Sequence, residues 1–227
     1  MNAQYTLGRS RGNSEGSNEA DTVGNNARTI SDFDYDTGYN KFDIRHNFVA
    51  SYNYTLPFER LLGRNNQLTT GWSVAGTTRL SSGFPVTLYN PTDTSLLGTF
   101  GNGVNNNLVD TPNYTPGCDL QINHDPTKGP AFNAGCFSLP ALGQLGNAPR
   151  RFFYGPGIEN FDFALIKRVA FDKTRNLEVR IEAFNVFNRP QFYGAGAVDG
   201  NIVSPTFGEI EAAAAPRFIQ LAAKFTF

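Results

Sequence analysis

The sequence predicts an all-β fold, an antiparallel up-and-down meander of about five to six long strands, and three observations carry that prediction. Five segments (42–56, 68–80, 161–171, 177–188 and 217–227) alternate side-chain character with a period of two, the signature of a strand with two different faces. The composition is rich in turn formers and aromatics, with 23 Gly, 13 Pro, 20 Phe and 9 Tyr against one Met and one Trp, which suits β-structure joined by polar loops. No run approaches the roughly 18 apolar residues of a membrane-spanning helix, a test to which strands, only half apolar, are blind.

Asn2 to Gly8 places Ala3, Tyr5 and Leu7 on one face and reads as a strand stub. Arg9 to Asn40 is rich in Gly, Ser, Asn and Asp without apolar periodicity, so a long exposed loop is expected. The chain thus divides into a stub and polar loop, 1–40, and a strand region, 41–227. Phe42 to Leu56 carries the clearest alternation. Its even positions, Phe42 to Leu56 by way of His46, Phe48, Tyr52 and Tyr54, are apolar or aromatic at seven of eight places, and its odd positions are polar at six of seven. Fifteen residues exceed the usual 5–6 of soluble strands and suit a tilted membrane strand with an extension. After a short connection, 57–67, a strand over 68–80 follows. It is extended by Ser81 to Tyr89 only as an edge or loop entry, because Pro85 cannot donate to a ladder. Residues 90–157 read as one long loop. Phe161 to Phe171 and Leu177 to Asn188 are strands around the polar turn 172–176, the second slipping phase at Phe184, which suggests a bulge. A second long loop, 189–216, leads to the last strand.

That strand, Arg217 to Phe227, sets Arg217, Ile219, Leu221, Ala223, Phe225 and Phe227 on one face, apolar apart from its opening Arg. Phe218, Gln220, Ala222, Lys224 and Thr226 lie on the other, which mixes small and polar groups with one Phe. A soluble sheet would leave such a strand an unguarded edge, whereas lipid solvates its apolar face. Connections run short, long, short, long, so short turns share one rim and long loops the other. The last strand then ends on the short-turn side, as in outer-membrane barrels. The fold expected is therefore an incomplete outer-membrane β-barrel with long extracellular loops, its outer face in contact with outer-membrane lipid. The alternative is a secreted, disulfide-containing β-sandwich that acts as a binding or adhesion module.

The net charge of −1 gives no electrostatic reason to expect a nucleic-acid partner. Cys118 and Cys136, with 17 residues between them, are compatible with a disulfide in an oxidising compartment, or are two unrelated thiols. The N-terminus lacks the basic and apolar regions of a secretory signal, and a fragment with its front missing is favoured. No metal site is expected: His124 is the only imidazole near the cysteines, and Asp93, Asp110, Asp119 and Asp125 match no calcium-loop spacing. No cofactor and no enzyme activity are expected either, since hydrolase, zincin and P-loop signatures are absent. Glu178 and Glu182 are four residues apart on a strand, roughly 13 Å, beyond the ~5–9.5 Å window of paired glycosidase carboxylates; with Arg180 they read as a charge ladder lining a lumen. His46 reads as a packed or interfacial mid-strand residue. Arg150, Arg151 and Tyr154 stand where loop meets strand and are candidates to grip an anionic or sugar ligand, the alternative being an interfacial girdle with snorkelling cations.

Gln220, Ala222, Phe225 and Phe227 are spaced like the terminal assembly signal of bacterial outer-membrane proteins, with Ala222 where that signal usually has Gly. GNAPRRFFYGPGIENFDFALIKRV (146–169), RIEAFNVFNRPQF (180–192) and GWSVAGTTRLSSGFPVTLY (71–89) resemble the final strands of TonB-dependent outer-membrane receptors, most closely the Oar-like group bearing a carboxypeptidase-regulatory-like domain. The resemblance covers about 43–227. It implies substrate uptake across the bacterial outer membrane, with the barrel-assembly machinery, the rest of the barrel, its plug and TonB as partners. Five strands and a stub cannot close even an eight-stranded barrel, so the chain is expected to be the C-terminal quarter or so of such a receptor.

Overall fold

The computed structural model describes residues 1–13, 32–98, 110–125, 128–194 and 196–227. Ten strands occur among them: β1 (Asn2–Leu7), β2 (Arg11–Gly12), β3 (Gly38–Tyr39), β4 (His46–Thr55), β5 (Trp72–Ser81), β6 (Asn113–Tyr114), β7 (Phe137–Ser138), β8 (Ile158–Ala170), β9 (Asn176–Phe184) and β10 (Phe218–Thr226). Six of them form one sheet in the order β1-β4-β5-β8-β9-β10, every neighbour antiparallel. The sheet is an open meander: β1 and β10 are its edges and do not pair with each other. β2 with β3, and β6 with β7, make two-residue ladders in the loops.

Register turns the alternation of each strand into a property of the whole sheet. Directly opposed residues share a face, and the pairs Tyr52↔Gly76, Gly76↔Phe163, Phe163↔Ala183 and Ile219↔Ala183 carry one face from β4 to β10. Tyr5, Phe48, Leu80, Leu165, Ile181, Leu221 and Phe225 all lie on it, so the apolar band predicted strand by strand is continuous. Ile181 is 46% exposed and Leu221 74%, and neither a second sheet nor a helix covers them among the described residues. A sandwich would bury that face, so the sandwich alternative is overturned.

The connections sort by rim. The one-turn helix α1 (Phe58–Leu61) lies in the link between β4 and β5, and the turn 171–175 joins β8 to β9. Both lie on the rim where β10 ends, while the described residues of the connections from β1 to β4, β5 to β8 and β9 to β10 leave from the other. Asp172 shapes the tight turn by accepting from the Arg175 and Thr174 amides at 2.7 and 2.9 Å. These bonds, the Arg175 amide foremost, hold its carboxyl down at about 2.

The largest departure from expectation is the long loop. Residues 82–98, 110–125 and 128–157 hold the molecule's main core, together with 196–210: Val86, Leu88, Phe132, Phe137, Phe153 and Val198 are buried and packed together. Phe132 makes edge contacts with Phe137, Phe153 and Phe207 at 5.3–5.5 Å between centroids. Each such fully buried side chain contributes roughly 1.5–3 kcal/mol, which a structureless loop would forgo. Backbone bridges Tyr89↔Asn201 and Asn90↔Asp110 fasten the segments. Gly200 belongs there because a Cβ would run into the Thr87 carbonyl. Strand ends also differ. Phe42 to Arg45 lie outside β4, with the Asp43 carboxylate accepting from the Ser10 amide at 2.8 Å and the Tyr154 hydroxyl at 2.6 Å, and His46 opens the strand rather than sitting mid-strand. The phase slip at Phe184 is a strand end, not a bulge: Asn185 is left-handed, at φ 50°, and its amide and side chain bond Asp162 and the Arg189 carbonyl. The loop expected over 9–40 is partly docked, since β3 pairs with β2 and Tyr39 stacks on Tyr154 at 4.9 Å; residues 14–31 lie outside the described residues.

Candidate functional site

The outward face is a surface for lipid, and its fittings are at the rims. On the short-turn rim Lys167 belongs by register to the apolar face, opposite Trp72. Its ammonium lies 4.9 Å from the centroid of the Trp72 ring and donates to the carbonyls of Gln67, Leu68 and Thr70. A cation on a hydrocarbon-facing wall thus has its charge carried to the interface and covered by an aromatic face. Phe171, Phe225 and Phe227 gather on the same rim, with Phe225 6.2 Å from each of the other two rings. Of the residues matching the assembly signal, Gln220 and Ala222 face inward and Phe225 faces outward; Phe227, just past the end of β10, stacks on Phe225 and is 92% exposed.

The opposite face is polar. Glu178 accepts from Arg168 Nε at 2.5 Å and from Arg180 Nε, and Arg180 lies 3.8 Å from Glu182. Lys224 and Gln220 stand directly across from Glu178 and Glu182. The residues expected to line a lumen are thus brought together in one ladder, whose alternating signs leave little net field. The carboxylates of Glu178 and Glu182 are bridged by Arg180 rather than poised about a common reacting atom.

Above the sheet, Cys118 and Cys136 are joined in a disulfide that closes the loop segment holding β6 and β7 together. Arg150 and Arg151 are each only 2% exposed, sealed inside the loop core. Arg151 donates from Nε to the Thr87 hydroxyl at 2.8 Å, and burial pushes its guanidinium down to about 10, still protonated at neutral pH. Both arginines therefore lie away from solvent, where neither an open ligand grip nor a snorkelling girdle would place them. Tyr154 donates to Asp43 and joins loop to loop; burial, the Asp43 bond and its charge push that phenol up. Asp110 is buried and accepts from the Ser95 amide and hydroxyl, both at 2.8 Å, so it is a structural anchor of the 90–98 turn. No group of three or more His, Cys, Asp or Glu able to hold a metal occurs among the described residues.

Sequence reasoning missed one feature, a groove of about 1030 Å³ on the outward side, where the wall meets the loops. Its floor includes Tyr5, Phe48 and Leu80, and the segment carrying Ile122 and His124 overhangs it. The two histidines of the chain, remote in sequence, both line it. His46 Nδ1 is hydrogen-bonded to the Tyr5 hydroxyl at 2.8 Å, and His124 Nδ1 accepts from the Gly157 amide at 3.3 Å. The apolar alternation that put Phe48 and Leu80 on one face was the available signal; the overhang had none.

Residues 1–220 match the family described as "Outer membrane beta barrel domain". No curated protein and no solved structure matches the chain.

Proposed function

The chain belongs to the outer membrane beta barrel domain family, and from that premise we propose that it is the C-terminal wall segment of a TonB-dependent receptor of the Oar-like group, serving substrate uptake across the bacterial outer membrane. The chain forms an outer-membrane barrel wall with an all-β antiparallel sheet. The observation that carries the finer reading is the open sheet: six strands with an unbroken lipid face, a charged inner face and two unpaired edges are suited to a wider barrel whose other strands complete the wall. The resemblance of 71–89, 146–169 and 180–192 to the last strands of such receptors supports the same assignment. In this reading the folded loops form part of the outer vestibule where substrate arrives. The Arg168–Glu178–Arg180–Glu182 ladder lines the interior against a plug, and the chain carries no catalytic chemistry. The terminal Gln220, Ala222, Phe225 and Phe227 present the assembly signal to the barrel-assembly machinery.

The test is co-purification of the native membrane barrel containing this chain with the periplasmic domain of TonB. Retention of TonB, lost when TonB-contacting sequence elsewhere in the barrel protein is deleted, is the expected result. A closed barrel without a plug and without TonB retention would leave the outer-membrane wall and remove the receptor.

A further inference from the structure

We propose that the groove beneath the Ile122–Asp125 overhang seats one phosphate-bearing lipid of the membrane, its acyl chain on the wall and its headgroup at His46 and His124. The inference rests on the barrel reading, because its floor is wall that faces lipid. The pairs Tyr5↔Phe48, Phe48↔Leu80 and Leu80↔Glu159 set these four residues in a single row across β1, β4, β5 and β8. That row is the loop-side end of the apolar band, so the groove is continuous with the hydrocarbon-facing surface and stands at the level of the headgroups. An acyl chain lying on the band would enter it without leaving an apolar environment.

The polar groups of the groove select the headgroup. Its two carboxylates are already matched, Glu159 by Arg189 and Asp125 by Lys128 at 3.2 Å, so they present little net repulsion to an anion. With its Nδ1 accepting from the Gly157 amide, neutral His124 carries its proton on Nε2 and is a donor there. His46, tied through Nδ1 to the Tyr5 hydroxyl, is held over the same floor. Donors above an apolar floor fit an amphiphile whose head is rich in acceptors, and a phosphate diester meets that requirement better than a choline cation alone.

The barrel containing this chain, reconstituted in bilayers of phosphate-free digalactosyl diacylglycerol doped with phosphatidylglycerol bearing a photoreactive acyl chain, tests this. Labelling at Phe48 and Leu80 should exceed that at Ile181 and Leu221, which share the face but lack an overhang, several-fold. The double variant His46→Leu/His124→Leu, which keeps side-chain bulk and removes both ring donors, should abolish the excess while labelling at Ile181 is unchanged. Uniform labelling along the band, or an excess that survives the double variant, would overturn the proposal and leave only ordinary boundary lipid. Absence of label at Ile181 and Leu221 as well would instead overturn the lipid-facing wall itself.

Discussion

Tyr52 lies directly across the β4–β5 ladder from Gly76, and its ring covers the space a side chain there would fill. A Cβ at position 76 would meet the Tyr52 hydroxyl at 2.6 Å, and it would press on the Asp162 carbonyl of β8 as well. The glycine forgoes packing of its own so that an aromatic can lie flat over the middle of the sheet. Gly76→Ala should therefore destabilise the folded wall by about 1–3 kcal/mol, the usual cost of overpacking. The thermal midpoint for loss of heat-modifiable migration on gels reads this. Adding Tyr52→Ala should recover only part of the loss, because the Asp162 carbonyl is backbone and cannot swing away. Full recovery would mean that the ring alone sets the constraint.

Closure of the 118–136 loop by its disulfide supports the aromatic core above the sheet, where Cys136 is buried beside Phe132 and Phe137. On the chain-entropy account a bridge across a loop of this length contributes about 3 kcal/mol. That contribution is local. Cys118→Ser/Cys136→Ser should expose 110–157 to limited proteolysis at the cell surface while the six-stranded sheet keeps its protection. Loss of both together would show that loop core and wall fold as a single unit.

The wall was legible in the sequence because each strand states its own faces. Phe48 against Asn47, or Leu221 against Gln220, needs no distant partner to be interpreted, and register then only has to join one strand to the next. The loop core was not legible, for the opposite reason. Phe132, Phe137 and Phe153 come from irregular segments with no period, and only the fold brings them round Leu88 and Val198. Arg150 and Arg151 looked like surface cations for the same reason: nothing local shows that the chain on either side turns over them. The groove depended on the same hidden geometry, since His46 and His124 meet only through the overhang. Phe184 shows the intermediate case, a real break in period whose cause, the left-handed Asn185, is conformational.

The two faces should answer a charge differently. Ile181 faces outward near the middle of β9, opposite Leu165 and Leu221, so Ile181→Arg places a cation against hydrocarbon and should cost about 2–4 kcal/mol. Gln220 faces inward, directly across from Glu182, and Gln220→Lys should be within about 0.5 kcal/mol of neutral. Yield of assembled barrel in outer-membrane fractions, followed by denaturant unfolding in vesicles, separates them. Equal tolerance at both positions would contradict the assignment of faces.

Tyr154 offers a pH test of how the loops are held to one another. Its hydroxyl donates to Asp43 at 2.6 Å and its ring stacks on Tyr39. Burial first, and then the Asp43 bond and charge, raise its pKa above the ordinary 10.0. When the loops part, the phenol returns to its ordinary value. The docked state therefore keeps its proton where the undocked state loses it. The contribution of this contact is fully present below pH 10 and declines as pH rises above it toward the raised value. Alkaline titration should open 40–45 and 150–157 to proteolysis, while tyrosinate absorbance grows in step. Tyr154→Phe, which keeps the ring stack but has no proton to lose, should weaken docking at neutral pH and flatten this alkaline dependence; an unchanged alkaline profile in that variant would place the responsible group elsewhere.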